Sequence, residues 1–250
     1  MSAVAIPKVI DELDVASSVK RALADFIAAQ QAAFGAALHS ITLFGSAAEG
    51  RMRPNSDVNL MTVLTSVDRN ALERLSPDYR AAHAAARIAC MFIRLDEIPA
   101  AYRSFAVKFE DIANRRRILV GADPFAGLTM SADDMRRRVR EDLLNLTLRL
   151  RERNAFHSAA SEQFETVIFE ASSAVRVAAA AILWLEGGSR LAPREALETL
   201  LSAGNPEWRK TLETISAVRQ EKPVSRLALT IAIGDLGAIV EWMRKRIGDA

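Results

Sequence analysis

Gly45 and Ser46 close an apolar run, and ten positions after Ser46 a second run opens as Ser56-Asp57-Val58-Asn59-Leu60. A Gly-Ser pair at the end of a strand can turn the backbone tightly enough to aim N–H groups at an anion, and the serine adds a hydroxyl. In the second run Val58 and Leu60 alternate with Asp57 and Asn59, so a strand puts residues 57 and 59 on one open face. Asp57 offers the hard, charged oxygen that divalent cations prefer, whereas Asn59 offers a carbonyl oxygen and no charge. The chemistry within reach is anion binding at a turn beside one carboxylate and one amide that could meet a cation.

The full stretch HSITLFGSAAEGRMRPNSDVNLMTVL, His39 to Leu64, resembles the signature of the nucleotidyltransferase superfamily. These enzymes move a nucleoside monophosphate from a nucleoside triphosphate onto a hydroxyl or amine. Their signature is a strand, a Gly-Ser turn, and a second strand carrying two acids two residues apart. The resemblance implies that Gly45, Ser46, Arg51 and Ser56 hold the triphosphate and that Asp57 and Asn59 hold Mg²⁺ and act in catalysis. Arg53, in the same turn, could also grip phosphate. Asn59 stands where the family has its second acid. Two metals clamp the attacking and leaving oxygens of an in-line displacement, so a lost ligand has little redundancy.

A third acid on a neighbouring strand completes the family's pocket. The stretch FAVKFEDIANRRRILVGADPF, Phe105 to Phe125, resembles the segment of bacterial members that carries it. In that register Lys108 occupies the position, reversing the charge. If the register slips by two, Glu110 takes it and could activate the acceptor. Two functions therefore compete. One is a Mg²⁺-dependent transferase using Asp57, Asn59 and Glu110 on an unknown small-molecule or protein acceptor. The other is a pseudoenzyme for nucleotide sensing or protein binding, with Lys108 as a fixed positive charge.

Other spacings carry less. Arg115-Arg116-Arg117 and Arg136-Arg137-Arg138 read as an RNA-binding face or, more simply, as solvated helix faces. Arg151 and His157 resemble the Arg-His element of HEPN ribonucleases, helical proteins often paired with minimal nucleotidyltransferases. His39 and His83 read as ordinary polar residues.

The elements that must position these residues follow from periodicity. Asp14 to about Phe34 has helical apolar spacing and closes at Gly35. Leu38–Phe44, 57–64 and 87–94 read as strands, 68–86 as a helix that Pro77 could break, and Asp96 as the cap of a short helix through Ala101. Ser104–Glu110 alternates and reads as a fourth strand. Beyond Ser131 the pattern is helical throughout: Met135, Val139, Leu143, Leu146 and Leu150 form one stripe, and further helices fit about 161–186, 193–202, 206–220 and 225–247. The expected class is α+β, with a nucleotidyltransferase-like mixed sheet domain over 1–127 and an all-α helical bundle over 128–250. By the same resemblance the bundle supplies the acceptor site, and it offers a surface for a homodimer.

Composition sets outer bounds. The lone cysteine, Cys90, excludes an internal disulfide and a Cys-based zinc site, and its apolar setting suits a core residue. A net charge of +2 gives no argument for nucleic acid. The opening residues lack a basic start and a sustained apolar stretch. Leu227–Met243, the late segment read as most apolar, is interrupted by Asp235 and Glu241, so a buried helix is expected and no membrane span. The default location is cytoplasmic.

Overall fold

Apolar residues recurring along 17–34 and alternating along 38–44 build the first helix-strand pair. In the computed structural model, which describes residues 8–52, 56–157, 163–187 and 190–248, the chain forms two compact units. One comprises Met1–Ser104 with Lys108–Thr129, the other Phe105–Val107 with Met130–Ala250.

The first unit contains α1 (Lys8–Asp11), α2 (Ser17–Phe34), β1 (Leu38–Phe44), β2 (Val58–Leu64), α3 (Arg69–Ala86), β3 (Ile88–Arg94), α4 (Ile98–Ser104) and β4 (Arg116–Gly121), with most of α5 (Ala106–Asn114). The sheet order is β3-β2-β1-β4. β1 pairs antiparallel with β2 and β4, while β2 and β3 are parallel, joined by α3. Parallel neighbours need such a crossover, whereas antiparallel ones do not. Asp68 caps α3 by accepting a hydrogen bond from Asn70 N (3.0 Å), and Pro77 lies inside that helix without ending it.

One sheet face is apolar. Ile41, Leu43, Val58, Leu60, Leu64 and Ile88 share a core with Leu23, Phe26 and Ile27 of α2 and Leu75 of α3. Phe26 stacks on Tyr79 at 5.2 Å. Removing a buried aromatic of this kind costs about 3–5 kcal/mol. Two polar contacts lie inside this layer: Thr62 donates to Gln30, and the Tyr79 hydroxyl accepts from Cys90 N at 2.7 Å. Cys90 lies 3.2 Å from the Thr62 hydroxyl, and burial pushes its thiol up to about 12. A thiol held neutral this firmly is a packing residue.

The expected strand over Ser104–Glu110 does not exist. Those residues finish α4 and enter α5. Phe105, Val107 and Phe109 do alternate, but burial follows a helical spacing through Ala106, Phe109, Glu110 and Ile112, and Phe105 is half exposed. Lys108 and Glu110 therefore point to nearly opposite sides of a helix and cannot exchange roles by a slip of register. The fourth strand is β4, which the arginine run disguised. Arg115 pairs with Asp111 and Glu49, Arg116 with Asp123, and Arg117 donates to Ala48 O. Arg116 and Arg117 thus belong to a strand and Arg115 to the bend before it, so the three are not a helix face.

The second unit holds α6 (Ala132–His157), α7 (Phe164–Leu185), α8 (Pro193–Ser202), α9 (Trp208–Val218) and α10 (Arg226–Arg246). The stripe Met135, Val139, Leu143, Leu146 and Leu150 is buried against α7 and α10 residues such as Ile168, Val175, Leu236 and Val240. Ser131 Oγ accepts from Asp134 N (3.1 Å) at the start of α6. The most apolar late helix is α7, not α10. Among the described residues α7 alone is long and apolar enough to cross a membrane by length and composition, and ten of its residues are buried, which suits a bundle's central helix. Arg136, Arg137 and Arg138 pair with acids of their own helix. Arg151 pairs with Glu241, and the side chain of His157 lies outside the described residues.

Candidate functional site

At the end of β1 the chain makes a single tight turn, Gly45–Ala47. Gly45 has φ +76°, a conformation that only glycine adopts without strain. Its N–H donates to Arg115 O (3.2 Å), and its carbonyl accepts from Ala48 N (3.0 Å). A Cβ on Gly45 would sit 3.8 Å from Asn59 Nδ2. The turn and the middle of the carboxylate motif are thus in direct proximity. Ser46 is half-buried, and its carbonyl accepts from Arg51 N (2.8 Å), closing the loop. Ser56 is half-buried next to Asp57, Arg51 is exposed, and Arg53 lies outside the described residues.

Register sets what stands beside Asn59. It pairs with Phe44 of β1 on one side and Ala89 of β3 on the other. Lateral neighbours in a sheet share a face, so this row of Phe44, Asn59 and Ala89 marks where an acid from the adjacent strand would stand. Ala89 supplies no ligand atom. Asn59 is also the only residue of β2 that is not fully buried, which makes it a polar opening in an otherwise buried strand. Its Nδ2 donates to Asp57 O (3.4 Å).

Asp57 faces a cation already in the chain. Arg87 Nε donates to Asp57 Oδ1 at 2.9 Å. Both side chains are about half exposed (57 % and 49 %), so the pair adds at most ~1 kcal/mol to stability. Its place matters more than its strength. Arg87 ends α3 in the left-handed region (φ 50°, ψ 37°), with its N–H bonded to His83 O (2.7 Å). Its carbonyl accepts from Val58 N (3.2 Å), which holds its backbone beside the start of β2, next to Asp57. A non-glycine residue in this region costs about 1–2 kcal/mol.

Lys108 is exposed on α5, with Nζ 4.0 Å from the Met91 sulfur. Met91 lies two residues beyond Ala89 on β3, on the same face. Glu110 is buried; its carboxylate accepts from the Tyr102 hydroxyl (2.5 Å) and from Asn114 Nδ2 (3.2 Å). Of the residues singled out in the sequence, the structure brings Gly45, Asp57 and Asn59 together and gives Glu110 a helical, internal setting. Sequence reasoning missed Arg87 and Ala89. The strand-helix-strand pattern of 57–94 did carry the signal, because it implies parallel pairing of β2 with a strand starting near 88.

No family model matches the chain, and no curated protein matches it. Among solved structures, it is similar to the spectinomycin adenyltransferase AAD(9) from Enterococcus faecialis, determined with ATP and spectinomycin: 13% identity, a TM-score of 0.61, and coverage of 91% of this chain and 98% of that one. This chain has a nucleotidyltransferase fold. The magnesium pair that catalysts of this fold use requires clustered carboxylates. Here Asp57 is already paired to Arg87, and Asn59 and its sheet neighbour Ala89 carry no carboxylate. Among the described residues no three His, Cys, Asp or Glu come together. The donor set of this nucleotidyltransferase fold does not fit two divalent ions.

Proposed function

We propose that the protein binds a nucleoside triphosphate at the Gly45-Ser46 turn and does not carry out two-metal nucleotidyl transfer. The support is above all the cluster of Asp57, Asn59 and Ala89, in which Asp57 is the one carboxylate and Arg87 pairs with it. The tight turn supports retention of the phosphate-binding half of the site. Exposed Arg51, Arg87 and Lys108 supply the cationic surroundings that a polyphosphate needs. The role is nucleotide sensing or presentation of a nucleotide-dependent surface to another protein.

The test has two readouts. Calorimetry should detect ATP binding that Gly45→Ala weakens, because the substitution combines positive φ with a new Cβ beside Asn59. Transfer of labelled AMP from ATP to water, spectinomycin or a panel of aminoglycosides should stay at background with Mg²⁺ or Mn²⁺. Metal-dependent transfer that Asp57→Ala abolishes would overturn the reading. It would favour a second one, a transferase acting on a small-molecule acceptor, for which the argument is the likeness to AAD(9) over 91% of this chain.

A further inference from the structure

Arg87 has features that a surface ion pair does not need. It holds a left-handed backbone that a glycine would adopt more easily. Both of its backbone polar groups are tied down, to His83 O and to Val58 N. Its Nε meets the only acid left in the motif. The left-handed turn is how α3 closes, and it sets the Arg87 side chain against Asp57.

The row geometry adds a second, independent observation. Along β3, Ala89 is bracketed by two cations: Arg87 immediately before the strand, and Lys108 against Met91 two residues on. A divalent ion arriving beside Asp57 would meet a fixed guanidinium and too few oxygens. An anion arriving at the Gly45 turn would meet those same cations with no metal needed. A planar guanidinium engaged through Nε keeps further N–H donors for phosphate oxygens.

We infer that Arg87 is a resident counter-ion standing in for the metal at Asp57, so that the site takes its nucleoside polyphosphate in metal-free form. This rests on the nucleotide-binding reading above and adds a selectivity to it: free ATP over Mg·ATP. Arg87 is here a binding residue, and no chemical step is assigned to it.

The experiment is ATP titration calorimetry on the full chain, in excess EDTA and in excess Mg²⁺, with wild type, Arg87→Ala and Arg87→Lys. Wild type should bind at least as tightly in EDTA as in Mg²⁺. Arg87→Ala should weaken binding in EDTA about tenfold or more, the loss expected for a charge-assisted phosphate contact, and Arg87→Lys should recover part of it. Binding that collapses in EDTA, or an Arg87→Ala protein with unchanged affinity there, overturns the inference.

A parallel arm needs no nucleotide. Mn²⁺ binding by electron paramagnetic resonance is compared between Asn59→Asp/Ala89→Glu and the same protein with Arg87→Ala added. Stronger Mn²⁺ binding in the triple variant supports the counter-ion role, and equal binding overturns it. If wild type binds no ATP under either condition, the nucleotide reading fails, while the Mn²⁺ comparison still decides whether Arg87 holds the metal's place. Circular dichroism of each variant confirms that the comparison is between folded proteins.

Discussion

Glu110→Gln separates a structural carboxylate from a catalytic one. Glu110 is buried to 5% exposure and accepts from Tyr102 (2.5 Å) and Asn114 (3.2 Å). Hydrogen bonds to a charged group contribute about 1.5–3 kcal/mol each, against about 0.5–1.5 for neutral ones. The amide keeps one acceptor oxygen and can donate to the Tyr102 hydroxyl, so shape and pairing survive while the charge assistance goes. The expected cost is about 1–2 kcal/mol. For a unit of this size, that lowers the melting temperature by about 4–8 °C. Tyr102→Phe should produce a similar drop, and the double variant should fall short of the sum because the two groups share one bond. Differential scanning calorimetry reads all three, with ATP titration alongside. An unchanged melting temperature together with lost ATP affinity would refute the reasoning and return Glu110 to the ligand site.

Gly121→Ala should be far more damaging than an ordinary surface change, because its Cβ would lie 2.0 Å from His39 O and its φ is +76°; overpacking and the left-handed backbone together cost about 2–5 kcal/mol, read as a lower melting temperature. Arg116, bonded to Asp123 through Nε and Nη2, holds that carboxyl below its ordinary range. A carboxyl depressed in the folded state stabilises above its unfolded value of about 3.9 and ceases to as pH falls through the folded one. Asp123→Asn should therefore melt earlier than wild type at pH 7, with the gap closing in acid. Cys90 works with the opposite sign: its folded thiol is raised to about 12, so stability should decline as pH rises from about 8.5 towards that value. Cys90→Ala should flatten this alkaline limb in thermal melts, and Ellman's reagent should label native wild type far more slowly than unfolded protein.

The sequence was most legible where one periodicity held without competition. The stripe from Met135 to Leu150 had one helical reading, and the alternation of Leu38–Phe44 one strand reading, because each matches a single backbone repeat. Phe105–Glu110 satisfied both repeats over six residues, and only burial against neighbouring elements decided for helix. Arg116–Gly121 failed in the other direction. Its arginines look like solvent-facing charge until Asp123 and Ala48 are seen to receive them. In the site, Gly45, Ser46, Asp57 and Asn59 were legible as a linear motif. Ala89 and Arg87 were not, since they join it through strand pairing, and a residue that contributes by lacking a carboxylate leaves no mark in a linear pattern.

On the proposed reading, the row formed by Phe44, Asn59 and Ala89 also governs how reachable a two-metal site is by mutation. Asparagine to aspartate and alanine to glutamate are each one nucleotide change for suitable codons. Taken singly, either adds a negative charge beside Asp57 that no metal yet neutralises, and Arg87 is already engaged there. Each single step is thus a cost without a gain, and the benefit comes only after both acids are in place and the guanidinium is withdrawn. On the proposed reading, a two-metal site therefore needs three changes, of which the first two add uncompensated charge beside Asp57.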